Sequence, residues 1–163
     1  MDNTMDNQQV TLTNLAWLAG IWDGEGTFSI YEHNGFYSGR LTLSNTSEEM
    51  IYEIVRILDS YEIYGHIFKE TKSRKPNHKK AYHLTFNKME SVKKACELMI
   101  PYLIVKKARA QLVKRFVESR LKYKKDIIRD KETGKIISIV KKDYTQEEKS
   151  LYEQLKTLNK VGI

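Results

Sequence analysis

The chain has one cysteine, Cys96, in 163 residues. A lone thiol excludes an intramolecular disulfide framework and fits a reducing compartment. It reads as a small buried hydrophobe on a helix. Nor can it help build a zinc site, because His33, His66, His78 and His83 show no ligand spacing of the kind such sites need. No apolar run approaches the roughly 18 residues that would cross a membrane. The start, MDNTMDNQQV, is polar and acidic, unlike a signal or transit peptide. The expectation is an intracellular protein with no membrane partner, in a bacterial or archaeal cytoplasm or an organelle matrix. There is no phosphate-binding loop of the GxxxxGK[ST] type, and Ile63-Tyr64-Gly65 is not a GIY-YIG signature. Acids are also short: 21 Asp and Glu face 28 Lys and Arg, a net charge of +7, which favours an anionic partner.

The basic residues are clustered. Residues 71–80 hold five and no acid, and residues 105–125 hold nine against the single acid Glu118. Half of all the cations in two short stretches points to a polyanion. With 40% apolar and 30% charged residues, the length suits one domain with a real core. We divide it into a disordered start over 1–11, a core over 12–123, and a basic hairpin-and-helix appendage over 124–163.

Residues 18–26, LAGIWDGEG, organise the chain. At about 100° per residue, Ala16, Ala19, Gly20 and Asp23 share one arc, and Leu15, Leu18, Ile21 and Trp22 share the opposite one. The bulky arc suits a core. The bare arc lets another backbone come very close and is expected to pack against a second copy of itself. Asp23 and Glu25 then stand at a helix C-terminus, where negative charge is unfavourable. Gly24 and Gly26 allow turn conformations and close approach of a ligand. A hard cation would offset the repulsion, bound by carboxylate and carbonyl oxygens with water or phosphate completing the shell.

Thr13 or Asn14 can cap the organising helix. Residues 27–33 then alternate, with Phe28 and Ile30 on one face and Ser29, Tyr31 and His33 on the other. Asn34-Gly35 signals a tight turn. Residues 38–44 alternate again, Leu41 and Leu43 inward, Ser38, Arg40, Thr42 and Ser44 outward. Thr46 and Glu49 read as a capping box for a helix carrying Ile51, Ile54, Ile57 and Leu58. A second hairpin spans about 63–70 and 80–86. Its return strand points His83 and Thr85 outward, while the register of 63–70 stays unassigned. Asn87 and Glu90 repeat the capping box before a helix to Ile100. After Pro101 a long helix runs from about Leu103. Beyond it, a hairpin flanks residues 131–134, and Thr145 with Glu148 caps a short helix carrying Leu151, Leu155 and Leu158. The fold class is α+β: αββαββα, a four-stranded antiparallel sheet backed by helices, its other face polar and free.

On the motif LAGIWDGEG the chain resembles the LAGLIDADG homing endonucleases, matching at Leu18, Ala19, Gly20, Asp23 and Gly26. Glu25 stands at the metal-binding acidic position, usually Asp. One motif places the chain with the homodimeric branch. The resemblance covers about residues 12–122, and implies a saddle-shaped sheet lying on double-stranded DNA. Ser29, Tyr31, His33, Ser38, Arg40, Thr42, Ser44, His83 and Thr85 would then read base edges in the major groove. Arg40 is the best candidate for a bidentate contact to guanine. Lys72, Arg74, Lys75, Lys79 and Lys80 would reach phosphates. Ala16, Ala19, Gly20 and Asp23 would form the dimer seam, and two protomers would cover a near-palindromic site of roughly 20 base pairs. Glu25 and the Gly24 carbonyl would hold Mg²⁺ or Mn²⁺ for phosphodiester hydrolysis, giving a double-strand break. Lys106 matches a catalytic-pocket lysine, and reads equally well as a surface lysine on a basic helix. Ser47 occupies a position where relatives can carry a water-orienting glutamine. Asp23 reads as a helix-end residue rather than a catalyst.

Two other readings stay open. The same saddle serves RNA maturases and DNA-binding regulators without cleavage, although Glu25 argues for retained chemistry. A purely structural dimer leaves the polar sheet face and clustered cations without a use.

Overall fold

A computed structural model describes residues 3–71, 79–123, 126–140 and 143–160. The first helix, α1 (Asn3–Gly24), leads into β1 (Thr27–His33), β2 (Phe36–Asn45), α2 (Glu48–Asp59), β3 (His66–Lys69), β4 (Tyr82–Phe86), α3 (Met89–Met99) and α4 (Lys107–Lys122). A separate two-stranded sheet, β5 (Asp126–Arg129) with β6 (Ile136–Val140), and a last helix, α5 (Gln146–Lys160), complete the chain. The main sheet has the order β1-β2-β4-β3 and is antiparallel throughout.

Alternation decides what the sheet buries. Phe28, Leu41 and Phe86 form one inward row, and Leu43 and Leu84 a second, all essentially inaccessible. Over them lie Leu18, Ala19 and Trp22 of α1, Ile51, Ile54, Ile57 and Leu58 of α2, Val92, Ala95, Cys96 and Met99 of α3, and Ala110, Val113, Phe116 and Val117 of α4. Helix α4 crosses β2 closely at Gly39. A Cβ there would fall 2.3 Å from Val117 Cγ1, so glycine is required by contact. The turn before it has Asn34 and Gly35 at φ 50° and 76°, the left-handed pair that a two-residue hairpin asks for.

Four boundaries depart from the sequence expectations, each for a local reason. Helix α1 begins at Asn3, so residues 3–11 are helical although no apolar stripe announces them. Periodicity reports burial of one face, and a polar stretch can be helical without it. The cap of α2 is Ser47, whose hydroxyl accepts from Met50 N at 3.2 Å, so the Thr46–Glu49 box does not form. Lys88 precedes α3 without a side-chain cap, because Asn87 Oδ1 accepts from Arg40 Nε at 3.0 Å instead. Helix α4 starts at Lys107 rather than near Leu103, because the backbone N–H groups of residues 104–106 are taken by Asp23.

The C-terminal helix joins the same core. Leu151 and Leu155 are buried in it, and Glu148 is 1% exposed, bonded to Ser119 Oγ at 2.8 Å and Arg120 at 3.3 Å. Thr145 and Glu148 form the reciprocal box that the sequence suggests, at 2.9 and 3.1 Å. The Tyr144 hydroxyl accepts from Tyr37 N at 2.8 Å and donates to Tyr37 O at 3.1 Å, tying this segment to β2.

Candidate nuclease site and nucleic-acid face

The C-terminal end of α1 meets the N-terminal end of α4, and each supplies what the other lacks. Asp23 accepts backbone N–H bonds from Ile104 (2.7 Å), Val105 (3.2 Å) and Lys106 (2.8 Å). Burial raises its carboxyl pKa, but these three donors and the Lys106 charge outweigh burial and hold it below the ordinary value. In return, Lys106 Nζ donates to the carbonyls of Trp22 (3.1 Å), Gly24 (3.4 Å) and Gly26 (2.7 Å). The first two belong to the last turn of α1, its negative end, and the third to the residue just before β1. The acid that looks misplaced from the sequence therefore sits at a positive helix end and neutralises it. Burial and then Arg109 push the Lys106 pKa down, against the pull of Asp23.

Gly26 closes the motif by contact rather than by torsion. Neither it nor Gly24 has a positive φ, so the turn at Glu25 does not need glycine for its torsions. Trp22 lies so close over Gly26 that an added Cβ would meet its ring at 2.3 Å.

Between these elements Glu25 stands exposed at the surface. Its Oε2 accepts from Asn45 Nδ2, and Asn45 Oδ1 accepts from Ser47 N at 2.7 Å. Asn45 ends β2, on the core-facing alternation of Leu41 and Leu43, which aims it along the sheet toward the α1 terminus. The residue touching Glu25 is thus Asn45, which sequence reasoning missed. The Ser47 hydroxyl is engaged in capping α2, so the catalytic role expected of it has no support in this geometry.

Of the seam residues, Ala16 and Gly20 are exposed on α1, and nothing lies within 4 Å of a Cβ built on Gly20. Leu12 and Trp17 flank them, 54% and 40% exposed. Ala19 is a correction: it is fully buried in the chain's own core, because α1 turns its Leu15-Leu18-Ala19-Trp22 face inward. Asp23 also differs from the expectation, its carboxylate being committed to the start of α4 within the same chain.

The outer sheet face carries polar rows set by the register. Thr27, Thr42, Thr85 and His66 form one, and Ser44, His83 and Phe68 another. Ser29 Oγ donates to Arg40 O at 3.3 Å, and the Arg40 guanidinium lies 3.9 Å over the Tyr31 ring. The Tyr31 and His33 rings stack at 6.2 Å. Ser38 is half-buried, its hydroxyl on Gly39 O at 3.5 Å. Lys79 and Lys80 are exposed at the approach to β4, whereas Lys72, Arg74 and Lys75 lie outside the described residues. His66 and Phe68 are additions that an unassigned β3 register could not supply, and Asn87, read from the sequence as a helix cap, is a third, bonded to Arg40.

Which residues could hold a cation follows from donor chemistry. Among the described residues no cluster of three or more His, Cys, Asp or Glu forms a closed cage. Glu25 offers one exposed carboxylate beside the Gly24 carbonyl. That is a hard, oxygen-only donor set with most positions left to water and phosphate, which fits Mg²⁺ better than a softer metal.

A family profile described as LAGLIDADG-like domain matches residues 13–99, more than half of the chain. Two crystal structures of the homing endonuclease I-CvuI on DNA are similar in fold. One, with Mg present and the DNA not cleaved, gives a TM-score of 0.56 at 20% identity, covering 93% of this chain and 82% of that one. The other, with Ca, gives 0.51 at 26% identity over 66% and 68%. The archaeal intron-encoded homing endonuclease I-Vdi141I, complexed with DNA, gives 0.54 at 17% identity over 68% and 70%. No curated protein matches by sequence.

Proposed function

The chain belongs to the family of LAGLIDADG-like domains, and on that premise we propose that it is a site-specific, divalent-metal-dependent DNA endonuclease acting as a homodimer. The observation that carries this reading is the juxtaposition at the end of α1. An exposed carboxylate, Glu25, directly follows Gly24, whose carbonyl accepts from the Lys106 ammonium at 3.4 Å, at the end of a helix that leaves Gly20 uncovered.

Two α1 helices packed through Ala16 and Gly20 bring two copies of Glu25 to the two-fold axis, one for each strand of a duplex. The sheets extend outward, and their polar faces lie along the major groove on either side, over a near-palindromic site of roughly 20 base pairs. A bound Mg²⁺ or Mn²⁺ would supply Lewis acidity toward the phosphate. Glu25 and the Gly24 carbonyl would hold it. Asn45 fixes the Glu25 carboxylate, as outer-shell partners do for metal ligands. Lys106 sets positive charge beside the phosphate undergoing attack, and Asp23 fixes the backbone that carries Lys106. Lys79 and Lys80 contact phosphates, which makes affinity steeply salt-dependent.

The test is cleavage, with Mg²⁺ present, of duplex DNA that joins the sequences flanking the chain's own reading frame. Wild type is expected to make a double-strand break and Glu25→Gln to bind the same duplex without cutting. Cutting by Glu25→Gln refutes the catalytic assignment. Binding without cutting by wild type supports the regulator or maturase reading instead.

A further inference from the structure

On the polar sheet face three side chains are joined in series. Ser44 Oγ is 2.7 Å from His83 Nδ1, and His83 Nε2 is 3.2 Å from Glu70 Oε1. Glu70 is itself held, its Oε2 accepting from Ala81 N at 3.2 Å and its backbone N–H bonding Ala81 O at 2.9 Å. The Phe68 ring stacks on His83 at 6.0 Å, fixing the plane of the imidazole.

This geometry dictates proton positions. An ionised carboxylate only accepts, so His83 Nε2 carries the hydrogen. A neutral imidazole has one N–H, which leaves Nδ1 as a bare acceptor. The Ser44 hydroxyl must then donate its single hydrogen to Nδ1. What it turns toward the groove is lone pairs alone.

Resting on the DNA-binding reading, we propose that Glu70 and His83 are positioning residues that lock Ser44 as a pure acceptor, so that Ser44 selects an amino-bearing base in each half-site. In the major groove only adenine N6 and cytosine N4 donate, while guanine and thymine present acceptors there. For the same reason Ser44 does not contact phosphate, whose oxygens only accept.

Two measurements test this on the full chain. Nitrogen-15 spectra of the free protein at about pH 8 are expected to show His83 protonated at Nε2 and bare at Nδ1, with Glu70→Gln mixing the tautomers. A dominant Nδ1–H form overturns the lock. Selection from a randomised duplex pool at the same pH is expected to enrich adenine or cytosine at one position per half-site. The preference should be about 3- to 10-fold, the size of one hydrogen bond, and should vanish in Ser44→Ala. Enrichment of guanine or thymine by wild type at about pH 8, or an unchanged selection by Ser44→Ala, overturns the assignment. If no duplex is retained at all, the DNA reading falls and the base preference with it. The tautomer still stands or falls on the nitrogen spectra.

Discussion

Gly20 separates two demands on one helix. Within a single chain nothing lies within 4 Å of a Cβ placed there, so Gly20→Ala meets no obstacle in the fold. It also removes a helix-interior glycine. Alanine is expected to stabilise α1 by about 0.8–1.0 kcal/mol, which raises the melting temperature by roughly 2–4 °C in a chain of this length. In the proposed dimer the same position would face its symmetry mate. A leucine on each side forces the helices apart at a cost of about 1–3 kcal/mol per inserted side chain, or about 2–6 kcal/mol for the pair. That weakens association roughly 30-fold to 10⁴-fold. Sedimentation equilibrium across nanomolar to micromolar protein reads the dissociation constant. Thermal melts below that constant read the monomer, so that mass action does not mix the two effects. The expected pattern is a more stable monomer and a weaker dimer. A Gly20→Leu protein that dimerises as wild type does, or a wild type that stays monomeric at micromolar concentration, refutes the seam. A Gly20→Ala monomer that melts lower refutes the open face.

Asp23→Asn is expected to cost about 1 kcal/mol at neutral pH, the scale of a lost helix cap, measured by urea denaturation. The Asp23 carboxyl has a lower pKa folded than unfolded. Its contribution is therefore complete above the unfolded value of about 4 and fades as pH falls through the folded one. The gap between wild type and variant should close in acid, and a gap that persists there contradicts the assignment. Gly39→Ala drives a methyl into Val117 and should destabilise by about 1–3 kcal/mol, seen as a lower denaturation midpoint at unchanged slope. Asn45→Ala is expected to lower the cleavage rate about 10- to 100-fold with DNA affinity unchanged, as loss of an outer-shell partner does; equal losses in both would show that it only supports the sheet.

The alternation of residues 27–33 and 38–44 and the Asn34-Gly35 turn made the first hairpin and its inward face legible, because a period of two leaves no other register once one face is buried, although β2 runs from Phe36 to Asn45. The second hairpin was half legible. His83 and Thr85 fell where the pattern put them, but the few residues of β3 offered too little periodicity to say that His66 and Phe68 face outward. The family resemblance singled out Glu25 and Lys106 as candidates. It could not reveal the exchange between Asp23 and Lys106, since those residues meet only when two helix ends more than 80 positions apart are brought together. Asn45 was hidden for a related reason: its neighbour Ser47 carries the capping signal, and only the end of β2 decides which of the two reaches Glu25. Ala19 misled because a small residue in the sequence fits a seam and a tight core equally well.

Strand β4 accompanies β2 only from Leu41 onward, so the tip of the first hairpin would otherwise offer an adhesive rim to any extended peptide. The Tyr144 phenol occupies that rim at Tyr37, standing in for a missing rung with one oxygen that both gives and takes. A chain cut short before residue 144 would lose Leu151 and Leu155 from the core and, in the same stroke, bare a self-templating margin. Its failure would then be precipitation during purification.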